Sequence, residues 1–118
     1  MTRRELAQII GDAVGSTDFA DDIEAGRSAM ACVMARAGAK ALGKEYSGSL
    51  AYHVRMAMEW SEPRRRKQIK SGCSNAQLGE WFLLFYWDMA GAVANYFNVK
   101  LAEAEPWRIW RKVAAYRR

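Results

Sequence analysis

The residues best suited to catalysis in this 118-residue chain are a cysteine and the single histidine. Cys73 comes one residue before Ser74, where a capping pattern begins a helix, and the positive end of a helix dipole favours a reactive thiolate. His53 is the available base for such a nucleophile. No neighbouring residue in the sequence completes a catalytic set, so an enzyme acting through Cys73 is the least favoured hypothesis.

Two carboxylates form the other candidate pair. Glu80 and Asp88 are eight residues apart, which places them about 80° apart on a helix and lets both reach one side. A small helical enzyme using this pair is a further alternative, but a buried carboxylate needs a partner. We predict a structural ion pair instead, with a partner drawn from Arg27, Arg36 and Arg55.

The sequence offers little else to a metal or a cofactor. It contains no glycine-rich phosphate loop and no cysteine or histidine spacing that suits zinc. The acidic residues between 18 and 24 fit the positive end of a helix better than a metal site. We therefore expect no catalytic residues, no metal and no cofactor, and a protein that works by binding.

Basic side chains with aromatic ones among them are the strongest functional signal. One group of cations comprises Arg64, Arg65, Arg66, Lys67 and Lys70. A second comprises Arg108, Arg111, Lys112, Arg117 and Arg118, with the aromatic residues Trp107, Trp110 and Tyr116 among them. Cations attract phosphates and aromatic rings can stack on unpaired bases, so we predict that both groups contact an anionic partner. The same pattern also fits a helix at a membrane surface. Alternatively, the tryptophans pack on the core as the apolar side of an amphipathic helix.

The charge is unevenly distributed along the chain. Residues 1–59 hold 7 basic and 8 acidic residues, whereas residues 60–118 hold 11 basic and 5 acidic ones, a balance of +6. This asymmetry suggests an anionic partner, namely nucleic acid, an anionic membrane or an acidic protein surface. Alternatively, the net charge only maintains solubility. The leading hypothesis is a non-catalytic accessory or inhibitory protein that docks on a nucleic-acid-handling protein complex. Direct, sequence-tolerant binding of DNA or RNA is the alternative.

One helix positions these groups. Residues 75–98 include seven consecutive bulky apolar or aromatic side chains, from 81 to 87. Such a run covers every side of a helix, which is typical of an element wrapped by others. We therefore predict a central buried helix of about 36 Å, in which Phe82, Leu83, Phe85 and Met89 are nearly fully buried. If this helix lies on the surface instead, it indicates a homodimer interface.

The remaining elements are predicted from caps and breakers. A capping box at Thr2 and Glu5 begins a helix that ends at Gly15, and a second helix covers residues 18–42 before Gly43. Further helices are predicted at 49–60, at 63–70 as a short basic element, and at 106–118. The predicted fold is an all-α, single-domain bundle over residues 1–118, with four major helices plus one short basic helix built around residues 75–98.

Cysteine content and hydropathy bear on the compartment. The two cysteines form no disulfide framework, and no apolar segment of a signal peptide follows the first residues. The longest uncharged run has 11 residues, whereas a membrane-spanning helix needs about 20. We expect a cytoplasmic protein without a membrane span.

Overall fold

The computed structural model describes residues 1–17, 23–67 and 75–102, and within them the protein is an all-α helical bundle. The helices are α1 (Arg3–Gly15), α2 (Ile23–Ala41), α3 (Gly48–Lys67) and α4 (Asn75–Tyr96). The helix predicted at 106–118 lies outside the described residues, as do positions 68–74. No helix of the described ranges is long and apolar enough to cross a membrane.

Local hydrogen bonds explain where the helices begin and end. Thr2 caps α1 by accepting a hydrogen bond from the Glu5 backbone N–H at 3.0 Å, as the capping box predicts. Gly43 has φ of 67° after α2, and Asn98 has φ of 54° after α4. Both residues adopt the left-handed conformation that ends helices in a Schellman motif. Helix α1 ends at Gly15 as predicted, but Gly15 does not form a left-handed cap, because it is the last helical residue and Ser16 caps the helix at φ of −96°.

The core forms where α1, α2 and α3 pack around the second half of α4. Its fully buried side chains include Leu6 and Ile10 of α1, Met34 of α2, Leu50, Val54 and Met58 of α3, and Met89, Ala90 and Val93 of α4. Gly38 permits the close approach of α2, because a Cβ atom there would lie 2.8 Å from the Val93 side chain. The predicted central helix is therefore confirmed for its second half.

The first half of α4 differs from the prediction. Phe85 is 2% exposed and Met89 is fully buried, but Phe82 is 47% exposed and Leu83 is 38% exposed. Phe82 precedes Met89 by seven residues, so the two lie on nearly the same face of the helix, about 20° apart. That face is covered at Met89 and open at Phe82, so the neighbouring helices cover α4 less completely near its N-terminus.

Helix α3 is longer than predicted, because it continues through Pro63 to Lys67. A separate basic helix at 63–70 is therefore wrong for residues 63–67. Proline inside a helix costs about 3 kcal/mol. The two residues before Pro63 offset this cost because they contact other helices. Ser61 donates a 2.7 Å hydrogen bond to Asp88 of α4, and Glu62 forms an ion pair with Arg27 of α2.

Candidate protein-binding surface

The outer face of α3 presents apolar and basic side chains to solvent. Tyr52, Met56 and Trp60 are exposed at four-residue intervals, and the stripe continues with Arg64 and Lys67 in the last turn. Residues four apart are neighbours on a helix surface. The stripe therefore joins large apolar side chains to cations, a combination that a purely solvated helix face lacks.

Within this stripe, Trp60 and Arg64 contact each other directly. The Arg64 guanidinium carbon lies 4.4 Å from the centre of the Trp60 ring, and Arg64 Nη1 donates a 2.6 Å hydrogen bond to the Trp60 carbonyl. Trp60 is nevertheless 51% exposed. Tryptophan and arginine are enriched among the residues that dominate binding energy at protein interfaces.

Arg65 differs from its neighbours in the basic group. Its Nε and Nη2 atoms donate hydrogen bonds of 2.7 and 2.8 Å to the two carboxylate oxygens of Asp88, and its side chain is 18% exposed. The hydrogen bond to Asp88 raises the pKa of Arg65 above its usual value. The structural ion pair predicted for Asp88 is confirmed, but none of the predicted partners makes it. Arg65 is therefore largely withdrawn from the predicted anionic partner by this ion pair, whereas Arg64, Arg66 and Lys67 are exposed.

A pocket of about 280 Å³ opens beside the last turns of α3. Residues from three helices line it: Gly26, Arg27 and Met30 of α2, Met58, Glu62 and Arg66 of α3, and Trp81, Phe82, Phe85 and Tyr86 of α4. The aromatic rings are ordered against one another, since Trp81 and Phe85 stack in parallel with centres 5.1 Å apart. Phe82 meets Trp81 edge-on at 4.7 Å. Burial raises the pKa of the Tyr86 phenol, which is therefore neutral at physiological pH.

Charged side chains occupy one wall of this pocket. Arg27 makes two contacts to the Glu62 carboxylate, at 3.0 and 3.1 Å. Arg66 lies 3.7 Å from the same carboxylate, and its guanidinium carbon is 5.9 Å from the centre of the Trp81 ring. The three charged groups sum to +1, so this wall favours an anionic group.

Trp81, which lines the pocket, has a hydrogen-bond donor without an acceptor in the described part of the chain. The indole N–H of Trp81 is buried and has no hydrogen-bond partner among the described residues. A buried donor without an acceptor costs about 1–3 kcal/mol. Native cores satisfy nearly all such groups, so this donor is an exception among the described side chains.

The structure does not assemble a catalytic site from the described candidates. His53 packs against Tyr96, with ring centres 5.5 Å apart, and both Asp88 oxygens are held by Arg65. Cys73 and the side chain of Glu80 lie outside what the structure describes. Within the described residues, no three histidine, cysteine, aspartate or glutamate side chains are grouped to hold a metal ion.

Most of the predicted binding residues lie outside the described part. These are Lys70, Arg108, Arg111, Lys112, Arg117 and Arg118, together with Trp107, Trp110 and Tyr116. The sequence-based reasoning missed Trp60, Tyr52 and Phe82 as surface residues. If α3 had been predicted to continue through Pro63, Trp60 and Tyr52 would have been recognised as surface residues, because they lie on the same helix face as Arg64. Comparisons with protein-family models, curated proteins and solved structures gave no match.

Proposed function

We propose that this protein is a non-catalytic binding protein that docks on an acidic protein surface in a nucleic-acid-handling complex, as an accessory or inhibitory component in the cytoplasm. The observation that carries the proposal is the Trp60–Arg64 pair, an exposed aromatic ring held under a guanidinium group at the end of α3. Lys67 and Arg66 add two exposed cations beside it. These four residues are called the α3 patch below.

A protein partner explains the apolar part of the α3 surface better than nucleic acid does. Tyr52 and Met56 extend the exposed surface away from the cations, and a phosphate backbone gives apolar side chains little to pack against. A complex that contains both protein and nucleic acid offers acidic and apolar groups together, and this favours the leading hypothesis over direct binding.

Direct, sequence-tolerant binding of DNA or RNA is the second proposal. The observation that favours it is the exposed ring of Trp60 beside Arg64, since aromatic faces stack on unpaired bases and cations pair with phosphates. An enzyme acting through Asp88 is disfavoured, because that carboxylate is committed to Arg65. A homodimer joined through Phe82 and Leu83 is the alternative use of the exposed part of α4, and sedimentation of the purified chain measures it.

The test compares the double variant Trp60→Ala, Arg64→Ala with a matched control, Arg4→Ala, Ile9→Ala, which removes one exposed cation and one exposed apolar side chain from α1. Complexes are captured from the native host with each tagged protein, before and after nuclease treatment. We expect a nuclease-resistant complex that the double variant loses and the control keeps. Equal recovery with both variants would overturn the proposal.

Direct binding to nucleic acid gives a different result in a gel-mobility assay with mixed-sequence, single-stranded DNA or RNA. It predicts that the wild-type chain retards the probe, that salt reverses the effect steeply, and that nuclease removes the captured complex. The double variant would then lose about 1–3 kcal/mol of binding through the stacked ring alone.

A further inference from the structure

The pocket between α2, α3 and α4 lies next to the α3 patch. At about 100° per residue, Arg66 lies between the pocket-lining residues Met58 and Glu62 on one side of the helix and Lys67 on the other. Arg66 thus belongs both to the pocket wall and to the exposed cations. A segment that binds the patch can therefore reach the pocket without crossing the core.

We propose that this pocket receives one aromatic side chain from an acidic peptide segment of the partner. The proposal rests on the proposed function, because the segment belongs to the protein that the α3 patch contacts. The occupant has two parts with different chemistry. Its ring packs on the aromatic floor, and a neighbouring carboxylate pairs with Arg66.

The volume and lining of the pocket fit one ring. Small-molecule sites occupy about 300–1,000 Å³, so a pocket of about 280 Å³ has room for a single side chain. Its floor is built from Trp81, Phe82 and Phe85, whose rings offer both faces and edges. Met30 and Met58 complete the lining, and methionine side chains adapt to aromatic groups because they are flexible and polarizable.

The charges at the pocket select an acidic segment. Arg27 is already engaged by Glu62 in two short contacts, whereas Arg66 reaches the same carboxylate only at 3.7 Å. That distance exceeds hydrogen-bonding range, and the Arg66 side chain is 70% exposed. Its donors are therefore available to a carboxylate at the pocket mouth, with Arg64 and Lys67 beyond it for further acidic residues.

The exposure of Phe82 is independent support for an occupant. The main core is closed around fully buried side chains, whereas Phe82 is 47% exposed on the face of α4 that Met89 buries and lines the pocket. A large apolar ring left open beside a pocket is typical of a surface completed by another chain.

The experiment titrates the full-length chain with three synthetic peptides, followed by proton–nitrogen NMR. The first is acetyl-Glu-Asp-Phe-Glu-Asp-amide, the second has Ala in place of Phe, and the third keeps Phe but has Lys in place of the four acids. We expect the first peptide to bind at least tenfold more tightly than either of the others, a difference of about 1.4 kcal/mol. The first peptide should also shift the indole N–H signal of Trp81. That signal is identified among those of the five tryptophans because it is the one missing from the spectrum of the Trp81→Phe variant.

Two pairs of variants locate the binding. Phe82→Ala alters the pocket, and Leu83→Ala removes a similarly exposed neighbour outside its lining. Arg66→Gln removes the cation at the pocket mouth, and Arg4→Gln removes an exposed cation of α1 that neither lines the pocket nor belongs to the α3 patch. We expect Phe82→Ala and Arg66→Gln to weaken the first peptide at least threefold more than their controls do.

The outcomes separate this proposal from the proposed function. Equal binding of the Phe and Ala peptides, or equal effects of Phe82→Ala and Leu83→Ala, would overturn the pocket proposal while leaving the α3 patch intact. If none of the three peptides binds, the pocket proposal is overturned as well. If the first peptide shifts the Trp81 signal but the host complex survives the Trp60→Ala, Arg64→Ala substitution, the proposed function fails and the pocket stands.

Discussion

Arg65→Ala should destabilise the fold much more than Arg64→Ala, although the two arginines are adjacent. Arg65 donates two short hydrogen bonds to Asp88, and the two side chains are only 18% and 11% exposed. Removing one partner of a buried ion pair costs about 3–5 kcal/mol, because it leaves an uncompensated charge. Because the Arg65 and Asp88 side chains keep some exposure to solvent, we expect a loss of stability at the lower end of this range, about 3 kcal/mol. Arg64 lies over an exposed ring, an arrangement worth about 0.5–1 kcal/mol.

Urea denaturation followed by far-ultraviolet circular dichroism measures the free energy of unfolding of both variants. For a chain of this length, about 3 kcal/mol corresponds to a fall of roughly 10 °C in Tm. Asp88→Ala tests the same contact from α4, since it leaves Arg65 and the fully buried hydroxyl of Ser61 without this acceptor. When Asp88 is already Ala, Arg65→Ala should lower stability by less than about 1 kcal/mol further, because the effects of substituting two residues in contact are not additive.

One result would refute this reasoning. If Arg65→Ala lowers stability by less than about 1 kcal/mol, as expected for a surface pair, the contact with Asp88 is effectively solvated. Arg65 would then return to the cations available to the partner. An Asp88→Ala variant as stable as the wild type would lead to the same conclusion independently.

Four other substitutions test the packing and the backbone by the same denaturation measurement. Phe85→Ala should cost about 3–5 kcal/mol, the range for a fully buried Phe, while Phe82→Ala should cost much less because its ring is half-exposed; similar costs would show that the first half of α4 is as enclosed as the second. Gly43→Ala should cost about 1–2 kcal/mol, since Gly43 is left-handed at φ of 67°. Gly38→Ala should cost about 1–3 kcal/mol through overpacking against Val93, and an unchanged Tm would mean that α2 moves aside easily.

Local patterns predicted the start of α1 and the end of α2 but not the end of α3. The capping box at Thr2 and the glycine at position 43 act through hydrogen bonds within a few residues, so the sequence contains the whole cause. Pro63 misled the prediction because its cost is also local, whereas the contacts of Ser61 and Glu62 that offset it come from distant helices. Short-range rules predicted a break where tertiary contacts maintain the helix.

The candidate site was less predictable for the same reason. Arg64, Arg65 and Arg66 are equivalent in sequence, but their positions around α3 differ by about 100° each. One consequently reaches Asp88, another covers Trp60, and the third borders the pocket. Nothing local indicates that Asp88, 23 positions away from Arg65, completes the pair. The basic run predicted an anionic partner but could not show which cations remain available to it.

The second half of α4 contributes to the stability of the fold, and the first half contributes to the proposed binding pocket. The second half is enclosed by α1, α2 and α3, so Met89 and Val93 are fully buried there. The first half can therefore leave Phe82 open at the pocket without unfolding the bundle. It follows that substitutions at Phe82, Trp60 and Arg66 should change partner binding at nearly constant Tm, because none of these side chains is enclosed. A substitution at Met89 should lower Tm first and affect binding only through the loss of folded protein.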